Sequence, residues 1–166
     1  GSFQVYACHR YGPYDVSSRV QAARGAEVAA DLHSSCPYMA FRDRVLNIRD
    51  QLRDFVMSEH LVGRSVYVYG ASTKGNTVLQ YCGLDHRVIS AAADRNSDKW
   101  SRRTPGTGIP IVSEKTMRAE NPDYLLVLPW HFREEFIERE KNYLLAGGKM
   151  IFPLAEFQIV SADDLN

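Results

Sequence analysis

The 166-residue chain has no excess charge of either sign: lysine plus arginine number 20, and aspartate plus glutamate number 20. No net field therefore draws it to nucleic acid or to a membrane surface, which leaves only local basic patches for such partners. No apolar run approaches the ~20 residues that span a bilayer, and no stretch has the form of a secretory leader. Cysteine is scarce, with Cys8, Cys36 and Cys82 widely spaced and never in a C-x-x-C pair. This pattern argues for reduced thiols in a cytoplasmic setting and against a structural zinc site. Internal repeats and low-complexity segments are absent, as are a Gly-x-Ser-x-Gly elbow and any His/Cys/Asp cluster at metal-ligand spacing.

What remains is 45 % hydrophobic and 24 % charged, ordinary for one globular domain with a real core. The opening "FQVYACHR" alternates like a short strand, and Gly12-Pro13 ends it. An alanine-rich stretch from Asp15 to about Leu32 predicts a helix with Asp15 as N-cap, and "SSCPYM" interrupts it. Phe41, Val45, Ile48, Leu52, Phe55 and Val56 then recur at helical spacing between charged residues, predicting an amphipathic helix closed by Leu61-Val62-Gly63.

After Gly63 the texture changes. "SVYVY" (65–69), "RVISAAA" (87–93), "IPIV" (109–112), "YLLVL" (124–128) and "KMIF" (149–152) predict five strands. Helical stretches lie at about 75–82, about 113–120 and 132–146. Continuous apolarity implies strands covered on both faces, and strand–helix alternation implies a parallel sheet. The expected fold is an α/β, Rossmann-like open parallel sheet of about five strands over residues 63–155, preceded by two helices.

Ligands of such sheets bind beyond the carboxyl ends of the strands, and three segments converge there. The first is "GASTKGN" after the first strand. Gly70 permits a tight turn, Ser72 and Thr73 offer hydroxyls, and Lys74 adds a charge beside a helix N-terminus. Ser72 stands where a dinucleotide fingerprint has its middle glycine, and the G-K-[ST] ending of a P-loop is missing. A small, polar loop selected only for packing reads equally well. The second segment is "ADRN". Asp94 lies near the offset at which such folds place a ribose-binding carboxylate; it reads also as a loop cap or as a partner of Arg95. Downstream, "RRTPGTGIP" is either a loop that closes over a ligand or a rigid connector. The third is "LPWHFREEF". Here His131 suits a general acid/base or a helix cap, and Trp130 suits base stacking or core closure. The charge-dense "EEFIEREK" reads as a solvated helix face.

Together "YGASTKGNTVLQYCGL", "DRNSDKW", "TPGTGIPIVSE" and "PDYLLVLPWHFREEFIERE…GGKMIFPL" resemble the C-terminal domain of S-adenosylmethionine-dependent sugar C-methyltransferases. Those enzymes act on nucleotide-linked deoxysugars. The resemblance covers roughly residues 38 to 154. It implies an N-terminal zinc-binding domain and a central methyl-donor domain outside this chain, with the present domain holding the nucleotide-sugar against the central one. Residues 1–12, Gly1-Ser2 included, resemble the last strand of the preceding methyltransferase domain or a linker. Residues 13–62 would then be a helical lead-in, and 63–166 the Rossmann-like domain. The resemblance raises Ser72, Thr73, Lys74 and His131 as contacts to the substrate's diphosphate or sugar, and Gly70, Asp94, Arg95 and Trp130 join them as candidate substrate-binding residues from their place at the same edge. Catalytic residues, S-adenosylmethionine and zinc are all expected in the missing domains, so this fragment alone is expected to be inactive. Two other readings stay open: a stand-alone nucleotide-binding module without catalysis, and a structural or dimerising domain.

Overall fold

The computed structural model describes residues 3–165. It divides into two compact units, one running to Arg44 and one beginning at Val45. In the first unit, Phe3–His9 forms no strand, and its alternating side chains are exposed. A strand needs a neighbour to take its backbone hydrogen bonds, and none pairs with this segment among the described residues; Gly1 and Ser2 lie outside them. Helix α1 spans Ser18–Ala29, with Ser17 rather than Asp15 at its N-cap. Helix α2, Cys36–Leu61, begins inside "SSCPYM", because Pro37 is tolerated in a first turn, where its missing N–H is not needed.

The second unit holds the C-terminal half of α2 and an α/β sheet. Its elements are β1 (Val66–Tyr69), α3 (Thr73–Cys82), β2 (Ala91–Asp94), β3 (Ile111–Ser113), α4 (Glu114–Glu120), β4 (Tyr124–Val127), α5 (Arg133–Arg139), α6 (Lys141–Leu145), β5 (Lys149–Phe152) and β6 (Gln158–Val160). The sheet order is β3-β2-β1-β4-β5-β6. The first five strands are parallel, and β6 pairs antiparallel with β5. The sheet thus has one strand more than the five read from the sequence. The run "RVISAAA" yields a strand only from Ala91, since Val88 and Ile89 donate to the Asp85 carbonyl in a turn.

Every residue of β1 and of β4 is buried, as expected for strands covered on both faces. Alternation along β1 sends Val66 and Val68 into one core with Leu52, Val56, Leu79 and Leu126. Tyr67 and Tyr69 point into the other, with Met117, Phe136, Leu144 and Phe152. Helices α2 and α3 therefore cover one face, and α4, α5 and α6 the other. No helix among the described residues is long and apolar enough to cross a membrane.

The amino edge of the sheet is tied by Asp123. Its Oδ2 accepts from Ser65 N at 2.8 Å and from Ser65 Oγ at 3.0 Å, and its Oδ1 accepts from Arg64 at 3.2 Å. The Ser65 N–H, aided by Arg64, holds this carboxyl below the usual aspartate range. The Arg87 guanidinium lowers Asp85 to about 2. A depressed folded-state pKa contributes stability that is complete above the unfolded value of about 4 and is lost as pH falls through the folded value. Urea unfolding should therefore show stability falling from about pH 4 toward pH 2. Asp123→Asn should flatten part of that acid limb, and an identical acid limb in the variant would count against this assignment.

Candidate functional site

In the sheet order, β2 and β4 flank β1 on opposite sides, so the crossover direction reverses there. Such a switch point leaves a crevice at the carboxyl ends of the strands. A cleft of about 350 Å³ occupies it, lined by Tyr69 and Gly70 at the end of β1, Asp94 and Arg95 at the end of β2, and Pro129 and Phe132 after β4. Ala93 of β2, Glu114 of α4 and Glu135, Phe136 and Arg139 of α5 complete the lining.

Gly70 has φ +94°, and a Cβ there would lie 3.2 Å from Pro129 Cγ. The backbone conformation and the close approach of Pro129 both require glycine. Ser72 is the N-cap of α3, its hydroxyl accepting from Gly75 N at 3.0 Å. Thr73 and Lys74 follow on the exposed first turn, outside the cleft lining.

Asp94 reaches the cleft, but its oxygens are engaged. Oδ2 accepts from Ala71 N at 3.0 Å and from Lys99 Nζ at 2.8 Å, and Oδ1 accepts from Asn96 N at 2.8 Å. Burial pushes its pKa up, yet the Lys99 ammonium and these N–H groups outweigh it and hold the carboxyl below its ordinary value. Lys99 also donates to the Ala71 carbonyl at 3.0 Å, so Asp94 and Lys99 together staple the glycine loop to β2. Of the readings for Asp94, the loop cap matches, with Lys99 rather than Arg95 as the ionic partner.

Arg95 instead turns to Glu114, with its Nε 3.1 Å from Oε1. Trp130 and His131 sit on a single 3-10 turn, Trp130–Phe132, with ring centroids 3.8 Å apart. Both are exposed beside the cleft rather than in its lining, and neither makes a side-chain cap for α5. The "RRTPGTGIP" segment is a connector. Asn76 Nδ2 donates to the Pro105 carbonyl at 2.7 Å, and Thr107 Oγ1 donates to Asn76 Oδ1 at 2.8 Å, clamping it to α3.

Of the groups that sequence reasoning missed, Glu140 lies in the stretch read as a solvated face, and Arg118 and Glu114 lie on α4. Glu140 separates α5 from α6 and is only 3 % exposed. Its Oε1 accepts from the Tyr69 hydroxyl at 2.7 Å, and both its oxygens meet Arg118. Arg118 Nη2 continues to Glu114 Oε2 at 3.0 Å. A chain of charged hydrogen bonds thus runs from beneath Tyr69 to the cleft wall. Burial, then Glu140, raises the Tyr69 phenol far above its ordinary value, so it remains a neutral donor. The available signal was Phe136, which shares a helical face with positions three and four residues on, Arg139 and Glu140. Among the described residues, no group of three or more His, Cys, Asp or Glu could hold a metal ion.

Residues 1–155 match the family described as C-methyltransferase C-terminal domain. The chain is also 34 % identical, over 163 residues, to the C-methyltransferase NovU of Streptomyces niveus, a stretch covering 98 % of this chain and 39 % of that protein. It therefore spans about two-fifths of the length of this relative. On the family match and this identity, the chain belongs to the C-terminal domain family of the C-methyltransferases.

Proposed function

We propose that this chain is the substrate-binding C-terminal domain of an S-adenosylmethionine-dependent sugar C-methyltransferase in the cytoplasm. It holds a nucleotide-linked deoxysugar against a methyl-donor domain that lies outside the chain. S-adenosylmethionine binds that other domain, and zinc belongs to a further N-terminal domain. The segment Phe3–His9 would be completed by pairing with the sheet of the domain before it. The observation that carries the reading is the cleft at the switch point of the sheet, bordered by Gly70 at the start of the glycine loop. Against a stand-alone dinucleotide-binding module stands Asp94: the carboxylate that would meet a ribose is already committed to Ala71, Asn96 and Lys99.

In this reading the diphosphate lies at the first turn of α3, where backbone N–H groups favour an anion and Lys74 supplies a charge-assisted hydrogen bond of roughly 1.5–3 kcal/mol. Since about 1.4 kcal/mol is tenfold in affinity, Lys74→Ala in the longer enzyme should raise the KM for the sugar nucleotide about ten- to hundredfold. Affinity for S-adenosylmethionine should not change. Because Lys74 is exposed, stability should also hold. Unchanged kinetics would remove the diphosphate from this loop.

A further inference from the structure

The stretch "DRNSDKW" grips the glycine loop at more than one point. Asp94 Oδ2 accepts from Ala71 N at 3.0 Å, and Lys99 Nζ donates to the Ala71 carbonyl at 3.0 Å and to the same Oδ2 at 2.8 Å. The N–H of Ala71 belongs to the peptide shared with Gly70, and its carbonyl to the peptide shared with Ser72. The ion pair therefore fixes two successive peptide planes, and with them the two backbone dihedrals of Ala71. The residues on either side are fixed as well: Gly70 N donates to the Ala93 carbonyl at 2.7 Å, and Ser72 caps α3.

Local structure delivers Lys99 to this spot. Asn96 N donates to Asp94 Oδ1 at 2.8 Å, Asn96 Oδ1 accepts from Asp98 N at 2.9 Å, and Trp100 Nε1 donates to the Asp94 carbonyl at 2.7 Å. The 3-10 turn Ser97–Lys99 thus folds the lysine back over the end of β2. A surface loop ordinarily leaves many of its backbone groups to water, and holding a lysine in one rotamer costs side-chain entropy. Stability is a weak reason for that cost: Lys99 is 38 % exposed, and ion pairs so open to water add little. Aim is a stronger one. Ala71 immediately precedes the cap Ser72, so its dihedrals set where the first-turn N–H groups of α3, and Lys74 with them, point.

We propose that Asp94 and Lys99 are a positioning pair: without touching the ligand, they lock the Gly70–Ser72 loop so that the first turn of α3 is preorganised for an anionic group. This rests on the reading above for the place of the diphosphate. Preorganisation raises affinity by taking the cost of ordering the loop out of the binding step. The sign of one substitution separates this role from plain electrostatics. As a bare charge near an anion, Asp94 opposes binding, and neutralising it tightens the complex. As a member of the pair it supports binding, and neutralising it weakens the complex.

The test is an amide NMR titration of this chain with inorganic pyrophosphate, read at Thr73 and Lys74. Lys99→Met, at a partly exposed side chain that the fold does not need, should weaken the saturable response about fivefold, and Asp94→Asn about threefold. Both should speed hydrogen exchange at the Ala71 amide. Lys99→Arg keeps the charge and the donors, and should restore most of the affinity. In a Lys74→Ala background, Lys99→Met should cost less, because the side chain that the loop aims is gone. Tighter binding by Asp94→Asn, or full affinity in Lys99→Met, would overturn the positioning role; with Lys74→Ala still weakening the complex, the substrate-binding reading would survive. No saturable response at α3 in the unaltered chain would count against both.

Discussion

Replacing Glu140 with alanine is expected to lower the unfolding free energy by about 3 kcal/mol, the lower end of the range for breaking a buried ion pair. The side chain is almost entirely enclosed, and it is the acceptor for the Tyr69 hydroxyl. Without it, that buried donor loses its partner, a cost of about 1–3 kcal/mol. Arg118 would lose its strongest contact but not become a stranded charge: it is 43 % exposed and keeps Glu114, so water and a second carboxylate attend it. That exposure is why the lower end applies. Glu140→Gln retains an acceptor for Tyr69 and gives up only the charge, so its loss should be roughly half as large. Urea denaturation with an unchanged m-value would report this as a change in native-state stability. A loss well below 1 kcal/mol in the alanine variant would mean that water reaches this position freely. Arg118 also holds Glu114 at the cleft wall, so a slackened Glu140 should be felt at the site.

The parts of this fold legible in the sequence are those whose pattern and tertiary role coincide. "KMIF" is apolar after its first residue and became β5 at the read positions, and "YLLVL" lost only its last residue from β4. The sixth strand, Gln158–Val160, escaped because only Val160 of its three residues is buried. It exists because β5 offers it an edge, which is a property of the sheet rather than of the segment. At the site, Gly70 and Arg95 were legible from topology alone, since residues following β1 and β2 must lie near the switch point. Asp94 also lies there, but its availability depends on Lys99, brought back by a 3-10 turn at Ser97–Lys99. The stretch "EEFIEREK" misled for a related reason. Read as one continuous helix it is polar around most of its circumference, but the chain breaks at Glu140 and turns that carboxylate onto Tyr69. Charge density signals solvent only where no buried partner of opposite sign is waiting, and Arg118 comes from a helix 22 residues earlier. The family resemblance was legible from ordered motifs, which carry information that composition and periodicity do not.

Removing residues up to Val62, the boundary suggested by the change in sequence texture, is expected to abolish cooperative folding, whereas removing residues up to Arg44 is not. The compact α/β unit begins at Val45, within α2. Leu52 and Val56 are fully buried among Val66, Leu79, Leu84 and Leu126, and Phe55 packs against the same core. The Phe55 ring meets Tyr124 of β4 edge-on, with centroids 5.2 Å apart. Helix α2 is thus one of the two helices that cover this face of the sheet among the described residues. Fully burying a Leu or Val side chain contributes about 1.5–3 kcal/mol, so Leu52 and Val56 represent roughly 3–6 kcal/mol, and the partly buried Phe55 adds to them. That is a large part of the whole stability of a typical domain, about 5–15 kcal/mol. The loss is compounded because Val66, Val68 and Leu126 would face water along a sheet that is apolar on both sides, inviting aggregation. The comparison is between fragments 45–166 and 63–166, followed by thermal unfolding and by dispersion of the amide spectrum. The longer fragment should give a single sharp transition, and the shorter should give none or precipitate. A shorter fragment that unfolded cooperatively would show that α2 only lies on the domain, and would return the boundary to Gly63.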